Sequence, residues 1–491
     1  MELNWTWIIA TVLLAGYVYA SIFYKGLNGC YYALKLGKKK HYSLPPGDMG
    51  WPLIGNIVFF MRLFYSQDPN SFLDNLVSKY GRTGIYKTHI FGNPIIVVCA
   101  PDTCRRVLMD DKNFKMGYPK SLREVLRLGS LYDMSSEEHK RFRRLVTAPL
   151  TGHSALAMYL ERIEDVVINS LERMASMSEP VEISGEMSHI SFNIIAHVVI
   201  GSENQFTINK VAESFSAMVE ALISLPINVP GFAFHRARKA SEDLASIIRP
   251  IVDERRRMIM ESGRREGKID LMDILLQDED ETGWKLENED IVDFLITFLF
   301  AGSEGTATSM MWSLIYISEN PHVLIKAREE QEQIMKARPP SQKQLSIKDI
   351  KQMVYLANVI DETIRRANLG ISIFREATSD VEMNGYIIPK GWKALVWTKA
   401  NHWDPEYYTN PLEFNPSRWE DNSTKPGTFL PFGGGLMHCP GSDLAKLEIS
   451  ILLHFFLLNY KLERVNPGCP IRYGIGVKPI DNCLAKVMKI S

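Results

Sequence analysis

No excess of either charge marks the sequence: 56 Lys and Arg stand against 57 Asp and Glu, a net charge of -1. Nucleic acid is therefore not among the expected partners. Cysteine is scarce. The six residues Cys30, Cys99, Cys104, Cys439, Cys469 and Cys483 form no CxxC pair, and no histidine cluster stands at zinc spacing. That excludes a disulfide framework or zinc module and suits a reducing compartment. Beyond Trp51 there is no second linker, internal repeat or low-complexity tract, so residues 51–491 are expected to form one large domain.

One charge-free apolar run stands out. Trp5 to Tyr24 is about 20 residues long, enough at about 1.5 Å per residue to cross a hydrocarbon core of about 30 Å. Aromatic residues crowd its ends, and Lys25, Lys35, Lys38, Lys39 and Lys40 follow it, which places the body of the chain in the cytoplasm. A cleaved signal peptide is the rival reading, but the segment before the run carries only Glu2, where such peptides are positive. Leu44-Pro45-Pro46-Gly47-Asp48-Met49-Gly50-Trp51-Pro52 is stiff and non-helical, because proline fixes its own φ and restricts its predecessor. The expected organisation is a transmembrane anchor over 1–24, a basic and proline-rich hinge over 25–50, and the large domain beyond.

Short β signals occur at Gly84 to Lys87 and Pro94 to Cys99, and later at Ile373 to Thr378 and Asn384 to Gly391, whereas most other segments are long and helix-periodic. The fold class is mainly α with a minor β region. Ser135 or Ser136, with Glu137 and Glu138 behind it, reads as a helix start. It leads into a basic cluster in which His139 and Arg143 share one face. Such a face is either solvated or a seat for carboxylates on a cofactor's edge. Leu225 to His235 is an apolar, proline-interrupted loop, either a lid over a greasy pocket or local core packing.

Glu287 to Asn320 is the longest helical pattern and is apolar nearly all round at its middle, so it should run through the core. There it carries Ala301-Gly302-Ser303-Glu304-Gly305-Thr306. Glycine costs a helix about 1 kcal/mol against alanine, and a buried carboxylate costs more unless paired. Function explains their presence better than stability does. Small residues let a flat ligand lie on the helix, and Glu304 with Thr306 would locally widen it and relay protons. Glu362 and Arg365 stand one turn apart, and Arg418 follows later. They are either a surface pair or a carboxylate locked between two guanidinium groups. Arg375 is a further candidate partner for a carboxylate.

Phe432-Gly433-Gly434-Gly435-Leu436-Met437-His438-Cys439-Pro440-Gly441 sets one cysteine in a glycine-rich loop before the apolar run Leu444 to Phe456. At a helix start, backbone N–H groups and the helix dipole stabilise a thiolate, and a thiolate is a ligand for haem iron. A buried structural cysteine is the alternative.

Taken together, the apolar run and proline hinge, Ala301 to Glu304, Glu362-x-x-Arg365, Pro416-x-Arg418-Trp419 and Phe432-x-x-Gly435-x-x-x-Cys439-x-Gly441 resemble the membrane-bound cytochrome P-450 haem-thiolate monooxygenases. They lie in that family's order and spacing over the whole chain. Leu225 to His235, Phe374 to Ala377 and Asp481 to Lys486 look like the plant subfamily containing ent-kaurenoic acid oxidase and beta-amyrin 11-oxidase. The resemblance implies a cytochrome P-450 fold, haem b with Cys439 on its iron, a polycyclic terpenoid substrate, and electrons from an NADPH-dependent reductase. It also implies a single-pass location in the endoplasmic reticulum membrane, in contact with lipid. By the same likeness His139, Arg143 and Arg375 sit at haem propionates, and Glu362, Arg365 and Arg418 form a structural network. Gly302, Phe432 and Gly435 would line the cofactor, and Glu304 and Thr306 would assist catalysis. Three positions depart from the pattern: His139 replaces a tryptophan, Met437 replaces a basic residue that neighbouring His438 is expected to cover, and Gly305 replaces a hydroxyl residue. The last keeps two other readings open: a reductase-independent hydroperoxide isomerase or dehydratase, and a catalytically impaired haem protein.

Overall fold

The computed structural model describes residues 11, 16, 26–36, 43–52, 54–62, 70–201, 205–222, 224–262, 270–279, 285–367, 372–421, 424–474 and 476–490. The anchor expected over 1–24 lies outside the described residues apart from Thr11 and Gly16. The chain divides into two compact units: residues 1–118, 371–404 and 425–435 make the first, and 119–370, 405–424 and 436–491 the second.

A five-stranded sheet organises the first unit. Its strands are β1 (Ile85–Ile90), β2 (Asn93–Val98), β3 (Phe114–Met116), β4 (Ile373–Ala377) and β5 (Lys393–Val396), in the order β1-β2-β5-β4-β3. The run Ile95-Ile96-Val97-Val98 is β-branched and wholly buried, as expected of a strand covered on both faces. Alternate side chains serve the two cores. Ile96 and Val98 pack with Cys104, Val107, Leu108 and Phe114 on one face; Ile95 and Val97 pack with Phe60, Phe72, Leu76 and Trp397 on the other. Register pairs Met116 with Arg375. Residues 26–36, within the expected hinge, are helical, and Asn28 Nδ2 donates to the Met49 carbonyl at 2.6 Å.

The second unit is helical. The helices that matter below are α1 (Ser136–Thr147), α2 (Ile183–Ile200), α3 (Asn288–Glu319), α4 (Val354–Ala367) and α5 (Ser442–Asn459). Ser135 caps α1 in a capping box with Glu138, resolving the choice left open between Ser135 and Ser136. As expected from its all-round apolar middle, α3 is the core element, packed on α2, α4 and α5. It ends before Pro321, which starts the next helix. Among the described residues it is the helix long and apolar enough to cross a membrane; here it is buried in protein instead. A hairpin of Ile471–Tyr473 and Val477–Pro479 is pinned to it, because Trp312 Nε1 donates to the Val477 carbonyl at 2.6 Å. The loop before the helix Ala233–Ser262 exposes Leu225, Ile227, Val229 and Phe232, so local core packing does not account for it.

Candidate active site

The glycine-rich loop belongs to both units. Phe432, half-buried, and Gly435 lie in the first. Gly435 has φ +67, and a Cβ there would come 2.4 Å from the Leu108 carbonyl oxygen, so only glycine fits the turn. Its N–H meets Met109 Sδ at 3.1 Å. Arg375 is in the same unit, on β4. Its guanidinium group is 4% exposed and donates to the Phe374 carbonyl at 3.3 Å; among the described residues it has no ion pair. Burial pulls its proton affinity down, with Tyr118 and then Asp111 opposing. A buried cation with one neutral acceptor is a costly arrangement and leaves donors for an anionic group.

Cys439 lies in the second unit, and α5 starts later than expected. Its N-cap is Gly441. Cys439 is consequently outside the helix. Burial pushes its thiol up, against the pull of the Gly441 N–H and the Arg143 charge. Cys439 thus stands two residues before the N-cap rather than at the start of the helix, where it was expected; ligation by a cation displaces a thiol proton. Arg143, one turn beyond half-buried His139 on α1, donates to the His438 carbonyl. Burial lowers its pKa and the Cys439 sulfur opposes that. The His438 side chain is exposed, and Met437 sits in the 3-10 turn Gly435–Met437.

Along α3, Ala301 and Gly305 are exposed although Ser303 and Thr306 to Ser309 beside them are buried. A Cβ on Gly305 would meet nothing within 4 Å. This open stripe, one helical turn from Ala301 to Gly305, leaves room for a flat group. Gly302 has a different neighbour: a Cβ there would come 2.5 Å from Ile195 Cγ1 on α2, so its smallness serves helix packing. Gly302→Val is expected to lower unfolding stability by about 1–3 kcal/mol, an overpacking cost. In a double-mutant cycle with Ile195→Ala, thermal denaturation should show the combined loss below the sum of the two.

Glu304 is half-buried. Burial raises its pKa, and Lys478 of the C-terminal hairpin counters. Nothing in the sequence pointed to Lys478, which is 174 positions away. Thr306 is buried. The local widening expected near Glu304 does not occur, since α3 is α-helical throughout. The hydroxyls of Ser303, Thr308 and Ser309 each turn back to the carbonyl four residues earlier, at 2.7, 2.8 and 2.9 Å, leaving the ladder closed.

The structural network is assembled within the second unit. Glu362 Oε1 accepts from Arg365 Nη2 at 2.8 Å, Arg418 Nε at 2.9 Å and the Asn415 N–H at 3.0 Å. Its Oε2 accepts from Arg365 Nε at 2.9 Å and Trp419 Nε1 at 3.1 Å. Among the described residues no hydrogen bond or ion pair joins Cys439 to Glu304 or Thr306.

The residues of each unit fit a haem: in the second, a half-buried cysteine sulfur after a glycine-rich loop and an open stripe of small residues on α3; in the first, a buried guanidinium without an ion pair among the described residues. The family profile described as Cytochrome P450 matches residues 45–479. Beta-amyrin 11-oxidase of Glycyrrhiza uralensis is 59% identical over 493 residues, covering 100% of both chains. Ent-kaurenoic acid oxidase 2 of Arabidopsis thaliana is 46% identical, covering 95% of this chain and 94% of its own. The retinoic acid-bound cyanobacterial CYP120A1 has a TM-score of 0.80 at 24% identity, covering 91% of this chain and all of its own, which is a likeness of fold.

Proposed function

The chain belongs to the cytochrome P450 family, and from that premise we propose that it inserts oxygen into an unactivated C–H bond of a polycyclic terpenoid, as a beta-amyrin or ent-kaurenoic acid oxidase does. It is a haem-thiolate monooxygenase supplied with electrons by a reductase. Bound haem iron supplies the activation of dioxygen that no side chain can perform.

The chain's own residues do the rest. Cys439 would provide the sulfur ligand, as a thiolate. Arg375 receives a carboxylate of the cofactor's edge, and Arg143 with His139 offers a second basic site. Gly435 and Phe432 shape the loop, and His438 contributes its carbonyl to Arg143. Ala301 and Gly305 keep α3 thin where the cofactor and an apolar substrate need room, while Gly302 lets α2 approach through Ile195. Burial raises the pKa of Glu304, so its carboxyl can hold a proton nearer neutral pH and release it toward the site. Thr306 is the nearest hydroxyl in sequence after Glu304, since Gly305 has none. Residues 51–491 act as the catalytic domain, with 1–24 as a single-pass anchor in the endoplasmic reticulum membrane and 25–50 as the tether. The exposed apolar loop at Leu225 to Phe232 supports contact with lipid.

The observation that carries this reading is full-length identity of 59% to an enzyme named for beta-amyrin oxidation. Microsomes holding the chain and a reductase should convert beta-amyrin or ent-kaurenoic acid to an oxidised product when NADPH is supplied. Product formed without NADPH, or none from either substrate by haem-loaded protein, contradicts it.

A further inference from the structure

One exposed methionine of the first unit rests its sulfur on the glycine-rich loop, a contact the chemistry above leaves unused. Met109 is the last residue of the helix Pro101–Met109 and is 52% exposed. The Gly435 N–H donates to its Sδ at 3.1 Å, and a Cβ on Gly434 would stand 3.1 Å from the same sulfur. Two consecutive glycines thus let a thioether lie directly on the loop backbone. The partners are 326 positions apart, so no spacing announces the contact.

A thioether is a weak acceptor and an oxidisable one. Hydrogen peroxide, the two-electron reduction product of the dioxygen that a monooxygenase consumes, is the oxidant of matching chemistry. The sulfur attacks one peroxide oxygen and the O–O bond breaks. Sulfur gives up two electrons and gains an S–O bond, while the other oxygen leaves as hydroxide and takes the proton of the transferred one to become water. The side chain that was apolar is now polar, chiral and larger at its head.

The helix end has little freedom to yield to it. Val107 and Leu108 are each 1% exposed, packed in the core on one face of the sheet, and beyond Met109 the Asp110 carboxylate accepts from the Asn113 N–H at 3.1 Å. The loop is the softer partner, since Gly433 and Gly435 have φ of +74 and +67 and no side chains to hold them. An oxygen on the sulfur either takes space that the Gly434–Gly435 backbone occupies, or points to solvent and leaves the Gly435 N–H with a depleted acceptor. Both outcomes weaken the contact. We propose that Met109 is a modification site, oxidised by hydrogen peroxide to the sulfoxide, and that the sulfoxide loosens the glycine turn four residues before Cys439 and so lowers turnover. Methionine sulfoxide reductases reverse the change.

The inference rests on the proposed reading of the 432–441 loop as the seat of haem, and two of its three readouts do not. Full-length holoprotein and its Met109→Leu variant, which keeps the volume but takes up no oxygen, are treated with graded hydrogen peroxide, each compared with its own untreated sample. Peptide mass mapping should find one added oxygen on Met109 at a dose that spares Met310 and Met311, which are 0% and 1% exposed. Hydrogen exchange over residues 430–438 should then quicken about two- to three-fold in the wild-type protein, the worth of a weak hydrogen bond, and stay unchanged in Met109→Leu. NADPH-dependent turnover should fall by a similar factor and return after sulfoxide reductase treatment, whereas direct attack on porphyrin is not reversed by such treatment and strikes both proteins alike. Met109 unmodified at that dose, exchange quickened equally in both proteins, or a turnover loss that the reductases leave in place each overturns the proposal. If the protein binds no porphyrin, the haem reading fails while mass mapping and exchange still decide the site.

Discussion

Glu362→Ala is expected to lower folding stability by about 3–5 kcal/mol, the cost of stranding a buried charge, out of a total of about 5–15 kcal/mol for a folded protein. Arg365 is 0% exposed. Without Glu362 it keeps the carbonyls of Pro411 at 2.9 Å and Glu413 at 3.4 Å, and a neutral carbonyl does not cancel its charge. Arg418 has an exit that Arg365 lacks: its side chain is 11% exposed and reaches the Thr409 carbonyl at 3.2 Å. Arg418→Ala should therefore cost less than Glu362→Ala, and Arg365→Lys should cost more than its retained charge suggests, because a lysine cannot make the two-pronged contact with both carboxylate oxygens. Denaturant midpoints of the purified variants check the order. An unfolding midpoint unchanged by Glu362→Ala would mean that the carboxylate holds nothing together.

The second large effect falls on chemistry rather than folding. Cys439→Ser keeps the size of the side chain, and position 439 is outside any helix, so secondary structure by circular dichroism should be unchanged. The hydroxyl is a far weaker acid than the thiol and a poorer match for iron in this role. NADPH-dependent product formation should fall below detection, and the haem that remains should lose its thiolate spectrum. Turnover that survives the substitution would move the ligand elsewhere in the chain.

What was legible in the sequence follows from the range of the interactions involved. The core helix was expected over 287–320 and spans Asn288–Glu319, because all-round apolarity and a following proline are local signals. The capping box at Ser135 and the strand near Ile95 were readable for the same reason. The pairing of Glu362 with Arg365 is one helical turn, so spacing suggests it; its burial, and the arrival of Arg418 from a distant loop, do not follow from spacing. The start of α5 at Ser442, three positions past Cys439, was not legible, since Pro440 would fit a first helical position equally well. Gly302 shows the opposite limit. Its smallness was readable, but its use against Ile195 depends on how α2 crosses α3, which sequence does not encode locally. Lys478 acting on Glu304 and Ser191 bonding the Gly302 carbonyl join elements far apart in the chain, and only packing brings them together.

The central claim is that sulfur at position 439 ligates haem iron. The direct measurement is a carbon monoxide difference spectrum of the reduced, purified full-length protein beside Cys439→Ser. The account expects the thiolate-type band in the wild-type protein and its loss in the variant. Purified protein without porphyrin, or an identical band from both proteins, would contradict it.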